Sequence, residues 1–189
     1  MKSVAIDVRA LVTTTLTGVG MYEFKLLEAM TALNPDLSFK FWTSGANLEA
    51  SSFIKPLLKR NQDAHVHFKL SNRYFNLAST LGWSGSRLYR LLEADIFFFP
   101  HPNFIPLPLL KPYVITVHDL SFIHQPSWYD LKGRLWHRAL RLNELLSSAR
   151  DIIAVSEATA ENIQRYFPHI SSSKIKVIHN GVSCEILNP

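Results

Sequence analysis

His118 and Asp119 are the side chains best placed to do chemistry, because they directly follow an apolar run. The run, Tyr113–Val117, is rich in β-branched residues and predicts a central strand buried on both faces of a parallel sheet. An imidazole and a carboxylate are costly to bury unpaired, and ligands of open parallel sheets bind beyond the carboxyl ends of the strands. The pair is therefore a candidate site. The structural alternative is a histidine that ends the strand and an aspartate that caps a turn.

The segment Gly18-Val19-Gly20 follows the first predicted strand and stands at a predicted helix start. Glycines let a ligand approach the backbone, and the free N–H groups and dipole of a helix start favour an anion by about 0.3–1 kcal/mol each. The segment is not the G-x-G-x-x-G fingerprint of dinucleotide-binding proteins, because Glu23 occupies the third glycine position. The alternative is a tight turn that packs the helix onto the strand.

Two other pairs share a strand face. Asp7 and Arg9 end the first strand, and we expect a buried ion pair that braces the crevice beside them. His65 and His67 also share a face, but a metal site needs further ligands, and no cysteine or carboxylate has the required spacing. The sequence therefore predicts no metal site, and a structural or surface role for the two histidines.

Strand and helix patterns alternate along the chain. This order predicts an α/β fold with a doubly wound, mostly parallel, seven-stranded Rossmann-like sheet and helices on both faces. The predicted strands are Ser3–Val8, Leu37–Thr43, His65–Leu70, Asp95–Phe99, Tyr113–Val117, Ile152–Val155 and Lys174–Ile178.

Three predicted helices have clear patterns. In Gly20–Leu33, a buried stripe of Tyr22, Leu26, Met30 and Leu33 is expected, with Glu23, Lys25 and Glu28 facing solvent. In Leu131–Ala149, the expected buried side consists of Leu131, Leu135, Ala139, Leu142, Leu146 and Ala149, opposite Arg134, Arg138 and Arg141. The third helix begins after Ser156, a good N-cap residue, with Glu157 in its first turn. The stretch 73–93 reads as two short helices separated near Gly82 and Gly85.

The net charge of +5 and the isoelectric point near 9.4 indicate anionic partners. Nucleic acid is not expected, because the chain contains no recognised reading module. Contact with an anionic membrane surface is an alternative to a plain solvated surface, through the aromatic and basic residues Arg73, Trp83, Arg87 and Arg90.

No apolar run is long enough to span a membrane, charged residues break the start of the chain, and a single cysteine fits a reducing compartment. We expect a cytoplasmic protein, with peripheral attachment to the inner face of the membrane as an alternative.

Four segments, in order along nearly the whole chain, carry a family resemblance. They are Asp7-Val8-Arg9 with Gly18-Val19-Gly20 and Tyr22, Thr116–Leu120, Ile153–Glu157, and Lys174–Val182. On these segments the chain resembles the N-terminal domain of family-4 retaining glycosyltransferases of the GT-B fold, of the bacterial surface-polysaccharide type. Ser183 and Leu187 depart from the pattern at the domain junction.

The resemblance implies two Rossmann-like domains that face each other across a cleft. Residues 1–179 would form the acceptor-side domain, and residues 180–189 the linker into a donor-binding domain that this chain lacks. Such a half would be inactive alone. The whole enzyme, of the hexosyl or mannosyl type, would move a sugar from a nucleotide-sugar donor to a glycan or lipid-linked acceptor with retention. It would need no cofactor.

The resemblance also implies roles for individual residues. His118 would touch the transferred sugar, Asp119 would shape the same turn or approach the acceptor, and Gly18–Gly20 would approach the donor phosphates. The acceptor side would consist of His101, Asn103, Ser156 and Glu157. Two alternatives stay open, namely a non-catalytic module that binds a glycan or phosphorylated metabolite, and an unrelated Rossmann-type nucleotide binder.

Overall fold

Seven parallel strands form one sheet in the order β3-β2-β1-β4-β5-β6-β7 in a computed structural model. The structure describes residues 2–34, 36–45, 53–60, 65–81, 86–107 and 111–182. The predicted fold class is confirmed, and every strand of the sheet is parallel to its neighbours. The strands are β1 Lys2–Asp7, β2 Leu37–Ser44, β3 His65–Phe68, β4 Ile96–Phe99, β5 Tyr113–Val117, β6 Asp151–Ala154 and β7 Ile175–Val177.

Helices connect the strands and lie on both faces of the sheet, as predicted. They are α1 Gly18–Leu33, α2 Ile54–Arg60, α3 Asn72–Thr80, α4 Ser86–Leu92, α5 Ser121–His124, α6 Leu131–Ala139, α7 Leu142–Ser148 and α8 Glu157–Tyr166. Short 3-10 turns lie at Arg9–Leu11, Pro126–Trp128 and Ser172–Lys174. The two-helix interpretation of residues 73–93 is confirmed by α3 and α4.

The two faces of the sheet build two separate cores, because successive strand residues point to opposite faces. Ile6 and Phe41 pack with Leu27 of α1 and with α2. Ala5 and Trp42 face the other way, where α3, α4, α7 and α8 bury their apolar sides. Helices α1 and α2 therefore cover one face, and most of the remaining helices cover the other.

The prediction for α1 was partly wrong. Glu23, expected to face solvent, is fully buried, and Leu33, expected to be buried, is 77% exposed. The helix approaches the sheet along Gly20, Glu23 and Leu27, which are its buried residues. Gly20 is closely packed at this contact, because a Cβ there would lie 3.0 Å from Leu16 Cδ2 and 3.5 Å from Ala10 O. The contact face is therefore rotated from the apolar stripe read in the sequence.

The prediction of one helix over 131–149 was also wrong. Arg141 adopts a left-handed conformation (φ 53°), which ends the helical hydrogen bonding and separates α6 from α7. As a result α7 buries Leu142, Leu145 and Leu146. Leu131 and Leu135, by contrast, remain 66% and 58% exposed on α6.

Candidate functional site

The strand order reverses between β1 and β4, since the chain continues from β1 to β2 on one side and from β4 to β5 on the other. Such a switch point opens a crevice beyond the carboxyl ends of the strands, where open α/β sheets bind ligands. We define the switch-point crevice as the region beyond Asp7, Phe99 and Val117, the last residues of β1, β4 and β5.

The predicted Asp7–Arg9 ion pair is confirmed and lies at the base of this crevice. Arg9 Nη2 is 2.6 Å from Asp7 Oδ2, and Arg9 Nε donates to Asp7 Oδ1 at 2.9 Å. Arg9 Nη2 also donates to the carbonyl of Phe104 at 3.0 Å, and the guanidinium lies 4.5 Å from the ring centre of Trp42. Both partners are buried, so the pair ties the end of β1 to the segment after β4.

His118 is half-buried and held from three sides. Its Nε2 lies 2.9 Å from the carbonyl oxygen of Pro100, Thr159 Oγ1 donates to its backbone carbonyl at 3.2 Å, and the Tyr22 ring meets it edge-on at 4.7 Å. A carbonyl can only accept, so Nε2 carries the proton and Nδ1 is left as a hydrogen-bond acceptor. Burial lowers the pKa of His118, which favours the neutral imidazole.

Asp119 is exposed and makes the contacts of a turn cap, the structural alternative given by the sequence. Its Oδ1 accepts from the backbone N of Ser121 at 2.9 Å and from the Ser121 hydroxyl. That hydroxyl also contacts the Tyr129 hydroxyl at 2.7 Å. Asp119 thus fixes the start of α5 beside the crevice through its two hydrogen bonds to Ser121.

Glu23 is the site residue that sequence reasoning missed. Its carboxylate is fully buried, and its Oε2 lies 3.4 Å from His101 Nδ1. Among the described residues, neither carboxylate oxygen has a hydrogen-bond partner. Burial raises the pKa of Glu23 to about 7, while His101 opposes the rise. The available signal was its position three residues after Gly20, on the helix face that a glycine allows to approach the sheet.

Hydrogen bonds around Asn103 determine the state of His101. Asn103 Oδ1 accepts from the Phe104 backbone N at 2.8 Å, so its amide nitrogen faces His101 Nε2 at 3.3 Å. An amide nitrogen donates, so Nε2 must accept and the ring proton lies on Nδ1, towards Glu23. The predicted acceptor-side residues His101 and Asn103 therefore lie together at the crevice, with Glu23 behind them.

The three residues of the glycine segment occupy different environments. Thr17 is the N-cap of α1 and accepts from the Gly20 backbone N at 3.2 Å. Gly20 is buried and packed against Leu16. It therefore has the packing role that the sequence analysis gave as the alternative to ligand binding. Gly18 is exposed, and a Cβ there would meet nothing within 4 Å. Of the two glycines, Gly18 is the one with open space for a ligand at its backbone.

Ser156 and Glu157 lie at the start of α8, as predicted. Ser156 Oγ accepts from the Thr159 backbone N at 3.1 Å, which is the N-cap contact, and Glu157 is exposed in the first turn. Because Thr159 also bonds the His118 carbonyl, this helix start lies beside the crevice.

The remaining predicted residues lie elsewhere. Arg73 and Arg90 are exposed on α3 and α4, while Trp83 and the side chain of Arg87 lie outside the described residues. His65 Nε2 and His67 Nδ1 both contact Thr43 Oγ1, at 2.9 and 2.8 Å. Within the described ranges there is no cluster of metal-ligating side chains, and no helix there could cross a membrane.

Three solved structures share the fold at low sequence identity. A sucrose-phosphate synthase from Thermosynechococcus elongatus has a TM-score of 0.62, with 12% identity over 98% of this chain and 50% of its own. A UDP-GlcNAc 2-epimerase from Neisseria meningitidis, bound to UDP-GlcNAc, has a TM-score of 0.57, with 12% identity over 95% of this chain and 47% of its own. A glycosyltransferase from Rickettsia africae has a TM-score of 0.52, with 14% identity over 99% of this chain and 45% of its own. The chain thus spans about half the length of these structures.

A search of curated protein sequences found no match to the chain. The model of the family described as Glycosyltransferase Family 4 matches residues 23–186, which include His101, His118 and Ser156. The match covers most of the chain. The chain therefore belongs to glycosyltransferase family 4.

Proposed function

We propose that this chain is the acceptor-binding half of a retaining glycosyltransferase of the hexosyl or mannosyl type. In the whole enzyme it would face a second, donor-binding domain, with residues 1–179 as the first domain and 180–189 as the linker. The sugar would pass from a nucleotide-sugar donor to a glycan or lipid-linked acceptor in cell-surface polysaccharide synthesis, in the cytoplasm. The observation that carries the proposal is the set of neutral, positioned polar groups at the switch-point crevice of a family-4 domain.

His118 is the central residue of this proposal. Its Nε2–H is occupied by the Pro100 carbonyl, so Nδ1 remains to accept a hydrogen bond from a hydroxyl of the transferred sugar. Because the imidazole is held by the Pro100 carbonyl and the Tyr22 ring, it positions the sugar without rearranging during the reaction. In a same-face reaction the departing phosphate receives the acceptor proton, so this scheme needs no proton transfer by His118.

Other crevice residues complete the site. The exposed backbone at Gly18 is open to the donor phosphates, and Val19 follows it in the first turn of the helix, where the N–H of Gly20 is already bonded to Thr17. On the acceptor side, His101 and Asn103 lie at the crevice and are bonded to each other. Asp119 caps the start of α5, Ser156 caps the start of α8, and Glu157 lies in the first turn of α8.

Titration of the chain with a glycan and with nucleotides tests the proposal. We expect a mannose oligosaccharide to shift the backbone NMR signals of His101, His118 and Thr159, and UDP, GDP and their sugar conjugates to bind weakly. His118→Ala should reduce the glycan-induced shifts, whereas His169→Ala, at an exposed histidine beyond α8, should not. Nucleotide binding with a Kd below about 10 μM, without any effect of glycans, would instead favour a Rossmann-type nucleotide binder. Glycan binding without sugar transfer, when both domains are present, would favour a non-catalytic binding module.

A further inference from the structure

Three buried polar atoms beside the switch-point crevice have no hydrogen-bond partner among the described residues. They are the two carboxylate oxygens of Glu23 and Nδ1 of His101. Glu23 Oε2 lies 3.4 Å from His101 Nδ1, which is longer than the roughly 2.7–3.2 Å of a formed hydrogen bond. Buried polar groups are nearly always paired. Because both groups can exchange a proton, the way in which this contact closes depends on where the protons lie.

His101 connects Glu23 with the crevice. The Glu23 side chain is fully buried, whereas 15% of the His101 side chain is exposed. A ligand in the crevice can therefore meet the histidine but not the carboxylate. Any effect of Glu23 on a ligand must pass through the His101 ring.

Asn103 lies at the opposite nitrogen of that ring. Its amide nitrogen faces His101 Nε2 at 3.3 Å, and its Oδ1 accepts from the Phe104 backbone N at 2.8 Å. This arrangement requires Nε2 to be free of hydrogen, because an amide nitrogen only donates. The amide has a second hydrogen, for which no partner lies in the described part of the chain. That hydrogen is available to a ligand hydroxyl.

The backbone at Phe104 prevents Asn103 from turning over. The Phe104 carbonyl accepts from Arg9 Nη2 at 3.0 Å, and Arg9 is held in its buried pair with Asp7. If Asn103 exchanged its oxygen and nitrogen, it would lose the bond to the Phe104 backbone N. Hydrogen on His101 Nε2 therefore repels the amide and displaces it from its position.

The Glu23–His101 pair has two proton states. With one proton, Glu23 is ionised, Nδ1–H of His101 donates to the carboxylate, and Nε2 accepts from Asn103. A second proton, taken from solvent, gives either a carboxyl O–H that donates to Nδ1 or an imidazolium that donates to the carboxylate. Both arrangements put hydrogen on Nε2. Hydrogen on Nδ1 and on the carboxyl together would leave a buried O–H without an acceptor, which is costly.

We propose that Glu23 is a positioning residue of the acceptor side, which determines through His101 whether Asn103 is held ready for a ligand hydroxyl. The one-proton state of the pair is the state that binds. The second proton releases Asn103 and weakens binding. The inference rests on the proposed function only in naming a glycan hydroxyl as the ligand, because the proton states belong to the chain alone.

The change between the two states falls near neutral pH. Burial raises the pKa of Glu23 to about 7, whereas His101 opposes the rise, Asp7 adds to it and Arg9 opposes it. Two further titratable side chains face the pair, namely Tyr22 of α1 and His118 after β5, and burial shifts the pKa of each towards the neutral form. The pair therefore takes up its second proton as the pH falls through about 7.

Heteronuclear NMR of the histidine side chains tests the proton states in the chain as it is. We expect His101 to carry hydrogen on Nδ1 alone at pH 8 and also on Nε2 at pH 6. Glu23→Gln should keep the Nδ1 form at both pH values, because its amide oxygen accepts from Nδ1–H without titrating and Asn103 opposes hydrogen on Nε2. Glu28→Gln, at a partly exposed carboxylate of the same helix, is the matched control and should behave like the wild type. Thermal unfolding verifies that each variant folds.

Glycan affinity should follow the same proton. For a pKa of about 7, the one-proton fraction falls from about nine-tenths at pH 8 to about one-tenth at pH 6, so the Kd of the wild type for a mannose oligosaccharide should rise about tenfold. Glu23→Gln should bind with the same Kd at both pH values. Asn103→Ala should bind weakly at both, because the group that the proton displaces is absent.

Two results would overturn the proposal. One is a pattern of hydrogen on His101 that is the same at pH 6 and pH 8, or that changes equally in the wild type and in Glu23→Gln. The other is a glycan affinity that is independent of pH in the wild type, or that keeps its pH dependence in Glu23→Gln. If no glycan binds at either pH, the proposed function fails, and the NMR experiment still decides whether Glu23 controls the His101 ring.

Discussion

The side chains of the switch-point crevice are held in place by other parts of the chain. His118 bonds the Pro100 carbonyl, His101 bonds Asn103, and Asp7 bonds Arg9. The His118 contact joins segments that follow β5 and β4, the His101 contact fixes the proton on one ring nitrogen, and Arg9 links its segment to the one after β4 through the Phe104 carbonyl. Such positioning of neutral and paired groups is what stabilises a transition state without rearrangement.

The role of His118 is testable by substitution in a protein that contains both domains. We expect His118→Ala to lower kcat by about 10²–10³, which is typical for the loss of one positioned polar group. The control is His124→Ala, at an exposed histidine of α5, with steady-state kinetics as the measurement. An unchanged kcat would remove His118 from the mechanism.

Glu23 predicts a pH dependence of stability. The unfolded carboxyl titrates near 4.5, whereas burial raises the pKa of the folded one to about 7. Between these values the folded state binds more protons than the unfolded state, so the stability contributed by the neutral carboxyl falls as pH rises and is lost above about 7. His101, Asp7 and Arg9 face this carboxyl and modulate its pKa.

Glu23→Gln should remove this dependence. Relative to wild type, the free energy of unfolding of the variant should increase between pH 4.5 and 7, by up to about 3 kcal/mol. Urea unfolding at several pH values measures it. Glu28→Gln, which removes a partly exposed carboxylate from the same helix, should stay within about 0.5 kcal/mol of wild type. If the difference in free energy of unfolding between Glu23→Gln and wild type did not change with pH, the pKa of Glu23 would not be raised in the folded protein.

At the scale of elements, α1 contains two glycines in different surroundings. Gly20 lies on the buried face of the helix with Glu23 and Leu27, and is packed against Leu16 and Ala10. Gly18, only two residues earlier, has no neighbour that a side chain would meet. Gly20 therefore has a packing role, whereas the backbone at Gly18 is accessible to a ligand.

Alanine substitutions distinguish these two roles. Gly20→Ala should leave the protein about 1 kcal/mol less stable than Gly18→Ala does, because the new Cβ would lie 3.0 Å from Leu16 Cδ2 and the Leu16 side chain must shift, which offsets the gain in helix propensity. Gly18→Ala should change stability by no more than about 0.5 kcal/mol. Chemical denaturation measures both. Equal effects of the two substitutions would contradict the packing assigned to Gly20.

On the scale of the whole molecule, the buried Asp7–Arg9 pair joins β1, the segment after β4, and the core around Trp42 and Phe75. Loss of the pair would therefore loosen the contacts of β1, of the segment after β4 and of this part of the core together. The pair therefore acts as a brace between the two halves of the sheet, on either side of the switch point.

Asp7→Asn should destabilise the protein by about 3–5 kcal/mol, because it leaves the Arg9 guanidinium buried without a countercharge. Asp151→Asn is the matched control. It breaks a pair with Arg150, whose side chain is 65% exposed, and should cost less than about 1 kcal/mol. Thermal and urea unfolding provide the comparison. A small effect of Asp7→Asn would mean that water or a relaxed backbone compensates the arginine.

The sequence by itself determined the strands, their parallel arrangement and the edge that carries His118. Alternating apolar runs and helical patterns are local signals, and parallel strands necessarily bring their carboxyl ends to one edge. The ion pair between Asp7 and Arg9 was also predicted, but not for the right reason: β1 ends at Asp7 and Arg9 begins a 3-10 turn, so the turn brings the two side chains together.

Only the tertiary structure decided which helix faces are buried and which side chains meet. Glu23 reaches His101, 78 positions later in the chain, on a helix face that also contains the closely packed Gly20. The left-handed Arg141 leaves Leu131 and Leu135 on the surface. Periodicity gives the angle between residues on a helix but not the rotation of that helix against the sheet, which depends on contacts between distant segments.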